Sequence, residues 1–344
     1  MTNPIGASLQ AGSLALRFGW YFGLNRVVSW RTASLAPAQR YTPRRPVPTQ
    51  AEVLASLVAL FLRDAEAVRE GLYPPDEAPV SLSDLLARTR AMLSDLPEAV
   101  RRREARNTAS VRSHPDAGAV PSYYAQDFHF QAGGYLSEDS AQLYDVQVET
   151  LFYGAAAPMR REALRPIAEY MRGRDQRRVH LLDVACGTGR FLRDVRRAWP
   201  AMRLTGLDLS ASYLREARRH MGDLRPATWL AGNAEAIPLP DASQDIVTTI
   251  FLFHELPPEV RRRVAAEMAR VLRPGGLLIF VDSLQMGDRP GWDGLLEAFP
   301  VRFHEPYYRH YSVDDLDAMF TAAGLAAQAS WTSFLAKVLV RTKP

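Results

Sequence analysis

LLDVACGTGR (residues 181–190) runs from an apolar strand, through an acid at its end, into a turn with two glycines and on to a helix start. A strand that delivers a carboxylate into so small a turn is the design of a nucleotide site. Gly187 and Gly189 lack side chains, so the backbone there can approach a bound molecule closely. Asp183 stands where a positively charged group can be read.

Outward from this turn the chain has a regular rhythm. From about residue 147 strands and helices alternate, which predicts a mostly parallel sheet covered on both faces. Short apolar runs place strands at 179–184, 203–208, 227–231, 245–251, 276–282, 326–331 and 335–341. Helices fall at 190–199, 211–221, 258–272 and 313–323. The last two strands are joined too tightly for a helical crossover and should pair antiparallel.

The N-terminal part reads differently. YTPRRPVPTQ (41–50) is an extended connector, and helical spacing follows over 51–69 (Val53, Leu57, Leu60, Phe61, Val68) and 81–95 (Leu82, Leu85, Leu86, Leu93), with Pro97 ending the second. The expected division is a mostly helical cap or oligomerisation region over 1–148 and an α/β domain over 149–344.

Composition narrows the class of function. The chain has 344 residues, 47% of them hydrophobic, enough for a large packed core. Net charge is only +4 and the arginines are interspersed with acids, including the 101–103 run, which reads as a solvated helix face; nucleic acid is not an expected partner. The single cysteine, Cys186, makes no intrachain disulfide and no zinc pattern, so no metal is expected and a cytoplasmic location is. Residues 1–30 are apolar and aromatic, but Arg17 and Arg26 interrupt them before a span accumulates, and no basic leader precedes them. Packing on the protein itself or on a second copy is expected there, with peripheral membrane contact as the alternative.

A dinucleotide site wants a third glycine three residues after Gly189, but that position is Leu192. Asp183, Ala185, Gly187 and Gly189 at alternate positions resemble instead the first motif of class I S-adenosylmethionine-dependent methyltransferases. Cys186 takes a variable slot of that motif and reads as a small turn residue. The resemblance extends from about Phe152 to the C-terminus through four further segments. In LTGLDLS, Asp208 closes the second strand, where the family binds both ribose hydroxyls, and Ser210 caps the helix that follows. In WLAGNAEAIPLPDASQDIV, Asn233 replaces the family's usual acid beside the adenine. IFLFHELPPEV ends the fourth strand, and RVLRPGGLLIFVD supplies the helix, turn and strand that follow.

The resemblance implies a Rossmann-like seven-stranded sheet with its last strand antiparallel, S-adenosyl-L-methionine as methyl donor and S-adenosyl-L-homocysteine as product. Asp183, Ala185, Gly187, Thr188 and Gly189 are then expected at the amino acid end of the donor, Asp208 with Leu209 at the ribose, and Asn233 with Ala234 at the adenine. Phe251, Phe253, His254 and Glu255 are expected at the methyl-transfer face, with His254 the first candidate base. RFHEPYYRHYSVDDL (302–316) offers His304, Tyr307, Tyr308, Arg309 and His310 to an acceptor, and Tyr135 and Tyr144 lie in an upstream aromatic segment expected to close over the donor. The expected acceptor is an aromatic or lipophilic small molecule, methylated at oxygen, carbon or nitrogen. Two alternatives remain: a nicotinamide-dependent oxidoreductase, and a non-catalytic module that dimerises or docks on membrane.

Overall fold

The periodicity translates closely into elements. A computed structural model describes residues 3–35, 41–77, 81–106, 108–131 and 133–344, so Met1 and Thr2 of the apolar N-terminal segment lie outside the described residues. Helices come first: α1 (Pro4–Leu35), α2 (Gln50–Arg69), α3 (Leu82–Glu104), α4 (Glu138–Leu151), α5 (Ala156–Arg161) and α6 (Leu164–Tyr170). Alternation follows as β1 (His180–Val184), α7 (Arg190–Ala198), β2 (Arg203–Asp208), α8 (Ala211–Met221), β3 (Thr228–Ala231), β4 (Gln244–Ile250), α9 (Pro258–Val271) and β5 (Leu272–Ser283). After α10 (Asp293–Arg302), α11 (Tyr308–Tyr311) and α12 (Leu316–Ala322), the chain closes on β6 (Ala326–Ser333) and β7 (Ala336–Thr342).

The seven strands form one sheet in the order β3-β2-β1-β4-β5-β7-β6. β1 lies between β2 and β4 and is parallel to both, whereas β7 is antiparallel to β5 and β6. Neighbouring residues of β1 point to opposite faces. Leu181 joins a core with Ile246, Ile279 and, from α2, Leu57 and Leu60; Leu182 joins another with Val247, Leu278, Val264 and Phe320. The N-terminal helix α2 thus shares a core with the sheet.

α1 is seated through Gln10, Leu14, Tyr21 and Leu24, and leaves Ile5, Leu9, Leu16, Val27 and Trp30 exposed. Among the described residues no helix is long and apolar enough to cross a membrane. Buried charges tie this region to the sheet: Arg161 Nε donates to Asp64 of α2 at 2.9 Å, and its Nη1 lies 3.5 Å from Asp194 of α7. A charge taken this far from water persists only when paired.

The largest departure from an expected boundary is in α3. Pro97 does not end α3, which runs on to Glu104. The missing N–H costs one helical hydrogen bond. The extra turns bury Val100 and Arg102, the latter 3.2 Å from Asp95, so of the 101–103 run expected as a solvated face only Arg101 is exposed and Arg103 is half-buried.

Candidate active site

The turn after β1 is built from left-handed backbone. Gly187 and Gly189 have φ of 52° and 70°, and Ala185 takes φ 58° despite its side chain. Phe251, just beyond β4, has φ 57°. At the two non-glycine residues, Ala185 and Phe251, this conformation costs of order 1–3 kcal/mol each and persists where the surroundings over-determine it. Here they mark the carboxyl ends of two adjacent parallel strands, the place where ligands enter open α/β sheets.

Gly189 serves packing. It precedes α7, and a Cβ on it would fall 2.8 Å from the Cβ of Ala217 and 3.0 Å from the Trp229 ring. Leu192 explains how the chain manages without a third glycine in the helix. The small residue sits on the strand instead: a Cβ on Gly206 would come within 2.8 Å of the Leu192 side chain. Cys186 lies buried in the same turn, where burial pushes its thiol well up and keeps it protonated.

A cleft of about 770 Å³, counting its open mouth, lies over these strand ends. Its walls include Tyr135, Tyr144, Ala185, Gly187, Asp208, Leu209, Asn233, Ala234, Phe251 and Glu255, all expected from the sequence. A smaller inner pocket of about 390 Å³ shares Tyr144, Ala185, Gly187 and Phe251 and adds Asp183 and Thr188. The two cavities adjoin through these shared residues.

Its acids are held in unusual states. Asp208 accepts from the backbone N–H groups of Gly187 and Ser210, both at 2.8 Å, so a single carboxylate braces the glycine turn and still faces the cleft. Burial outweighs these bonds and pushes its pKa up to about 6. Asp183 is pushed up to about 7, by burial first and by Asp208 also, against a 2.7 Å hydrogen bond from Thr248. Each carboxyl would gain from a ligand that supplies donors or positive charge. Asn233 accepts from the Glu235 N–H at 2.9 Å, and Ser210 caps α8 through the Tyr213 N–H as expected.

The turn after β4 sorts three consecutive residues in three directions. Phe253 enters the core between Phe280 and Phe320. His254 turns to Asp282, its Nδ1 2.5 Å from the carboxylate, and burial is outweighed by that charge, which raises the imidazole to about 10. Glu255 alone reaches the cleft, where Tyr135 donates to it at 2.5 Å and burial pushes its carboxyl up. Of the later cluster, His304 and Tyr307 meet at Gln126, and His310 is exposed beside Arg261. Gly189, Phe253, His254, His304, Tyr307 and His310 are therefore not among the residues that line either cavity.

Several lining residues carry no clear signal in the sequence. Arg160 of α5 and Arg190 of α7 enter the inner pocket, anchored on Glu149 at 3.0 Å and Asp145 at 3.5 Å. Two guanidinium groups beside Asp183 suit a zwitterionic amino acid end. Tyr123, Tyr124 and Tyr213 add rings to the outer wall. Arg190 ends the glycine motif itself, and its place in the first helical turn was the available clue.

Strand order, a glycine turn at the switch point between β1 and β4, and an acid at the end of β2 facing the cleft are the architecture of an α/β nucleotide-binding fold. A methyltransferase-domain family model matches residues 181–276. A demethylmenaquinone methyltransferase of Listeria welshimeri is 35% identical over 149 residues, covering 40% of this chain and 62% of that one. The corresponding enzyme of Thermotoga maritima is 31% identical over 172 residues, 50% of this chain and 70% of that one. Among solved structures, an S-adenosylmethionine-dependent methyltransferase from Aquifex aeolicus is 17% identical with a TM-score of 0.39, over 54% of this chain and 94% of that one. The chain spans about 62% of the length of the curated relatives it matches first. It belongs to the class I S-adenosylmethionine-dependent methyltransferase family.

Proposed function

We propose that the protein transfers a methyl group from S-adenosyl-L-methionine to an aromatic, lipophilic small molecule of the quinone kind. The observation that carries the reading is the composition of the cleft. Tyr123, Tyr124, Tyr135, Phe251, Leu252 and Leu256 line it, with Asp208 and Glu255 as its carboxylates. Relatives named for demethylmenaquinone methylation support the acceptor class.

The residues present fit the donor. Arg160 and Arg190 would take its carboxylate, Asp183 its ammonium, Asp208 the ribose hydroxyls, and Asn233 with Ala234 the adenine edge. The bound donor supplies a methyl group activated on a sulfonium. The chain's own part is to hold the acceptor in line and exclude water, the kind of positioning that can account for much of a displacement's acceleration. Phe251, common to both cavities, lies between the residues assigned to the adenosine and to the amino acid end, where the donor's sulfonium would sit, and the tyrosines near it add aromatic rings to the wall.

Transfer of labelled methyl from S-adenosylmethionine to a reduced naphthoquinone lacking the ring methyl tests this. Turnover is expected there and not with a polyamine of similar size. Donor binding without turnover on any reduced quinone, together with turnover on the amine, refutes the acceptor class.

A further inference from the structure

Beside the cleft three loops distant in sequence bring one imidazole and two carboxyls together. His129 comes from a short turn before α4, Glu255 from the turn after β4, and Glu305 from the link between α10 and α11. One donor atom from each lies within 4.8 Å of the others. His129 Nδ1 is 3.1 Å from Glu305, and Nε2 is 3.8 Å from Glu255.

Glu305 is the telling member. It is 3% exposed, and neither carboxylate oxygen has a hydrogen-bond partner among the described residues. A buried, unpartnered carboxylate is costly and calls for a proton or a cation. His129 presents Nδ1 to it at 3.1 Å, and a neutral imidazole is the ligand form of histidine.

We propose that His129, Glu255 and Glu305 bind a divalent first-row transition-metal cation. One nitrogen and two carboxylate oxygens suit manganese, iron or zinc better than calcium, which takes oxygen ligands alone. Bonds of about 2.0–2.2 Å set neighbouring donor atoms about 3.0–3.5 Å apart, so one imidazole nitrogen, Nδ1 beside Glu305, would bind and the Glu255 carboxylate would swing toward it. The rest of the site is already fixed. His129 sits at φ 54°, edge-on to Phe299 and Phe303, and its N–H donates to the His304 carbonyl, joining two of the three loops. Tyr135 orients Glu255 in the manner of an outer-shell partner. The side chains of His129 and Glu255 keep 18% and 15% exposure and that of Glu305 none, and of the three Glu255 also lines the cleft.

The test uses the full chain after chelator treatment, with manganese(II) as probe. Spin resonance should show one manganese per chain, displaced by zinc(II), with a nitrogen coupling from a bound imidazole. Glu305→Gln and His129→Gln should each weaken binding at least about tenfold, and His129→Gln should remove the coupling. Affinity for S-adenosylhomocysteine, read by calorimetry on the same samples, should stay within about threefold because neither residue lines the donor pocket. Absence of manganese and zinc binding, or binding that both variants retain, overturns the inference. The nitrogen coupling decides it in the parent protein if a variant fails to fold. Metal binding without S-adenosylhomocysteine binding would refute the proposed function and leave this site standing.

Discussion

Replacing Asp208 by asparagine separates the two tasks of that carboxylate. In the fold it accepts one backbone N–H on each oxygen, from Gly187 and Ser210. Asparagine keeps the shape and one acceptor but turns a donor toward the other N–H, leaving a buried group unpaired at about 1–3 kcal/mol. For 344 residues with about 2.1 cal/mol/K each, that lowers Tm by about 1–4 °C. In the site, two ribose hydroxyls on a carboxylate are worth about 1.5 kcal/mol each, and the amide retains part of one. The net loss is about 2–3 kcal/mol, a Kd for S-adenosylhomocysteine raised about 30- to 150-fold. Calorimetry at 25 °C, where the variant remains folded, measures it. If Tm falls as expected but Kd moves by less than about threefold, Asp208 braces the turn without holding the ribose, and the donor assignment is refuted.

Three further outcomes follow from the same geometry. Arg160→Gln should weaken S-adenosylhomocysteine binding by about 1.5–3 kcal/mol by removing a charge-assisted partner of its carboxylate, with decarboxylated donor analogues unaffected; an equal loss for both refutes the role. Gly189→Ala, meeting Ala217 at 2.8 Å with φ at 70°, should cost about 2–4 kcal/mol in a denaturant titration, and a neutral result would show that the turn can relax. Asp183, raised from 3.8 to about 7, binds its proton more tightly folded than unfolded, so its contribution to stability is full at low pH and is lost as pH rises through about 4–7. A bound ammonium ionises it, so S-adenosylhomocysteine binding should release a proton near pH 6 and little above about pH 8; calorimetry in buffers of different ionisation enthalpy that finds no release at pH 6 excludes that contact.

Most of the fold was legible because its causes are local. β2 and α8 fall on the expected residues, and the other sheet strands lie within a few residues of where the apolar runs put them, because side-chain period and glycine turns act over neighbours. Pro97 shows the limit of that reasoning. Its local cost is real, yet burial of Val100 and the Arg102 pairing are tertiary gains that no window of sequence displays.

The site divides the same way. LLDVACGTGR, Asp208 and Asn233 are readable from sequence as parts of the cleft because strand ends and their turns carry it with them. Direction is not readable: Phe253, His254 and Glu255 are consecutive, and only the packing of β4 against β5 sends one to the core, one to Asp282 and one to the cleft. Nor is convergence. Arg160 meets Arg190 across 30 positions, and His129, Glu255 and Glu305 meet across far greater separations. The sequence by itself determined the sheet and the glycine turn, since each follows from residues adjacent in the chain, and its motifs pointed to the methyltransferase family. The tertiary structure alone decided which side chains share the cleft, because that depends on loops brought together by the core and on how much water each carboxyl and imidazole loses there.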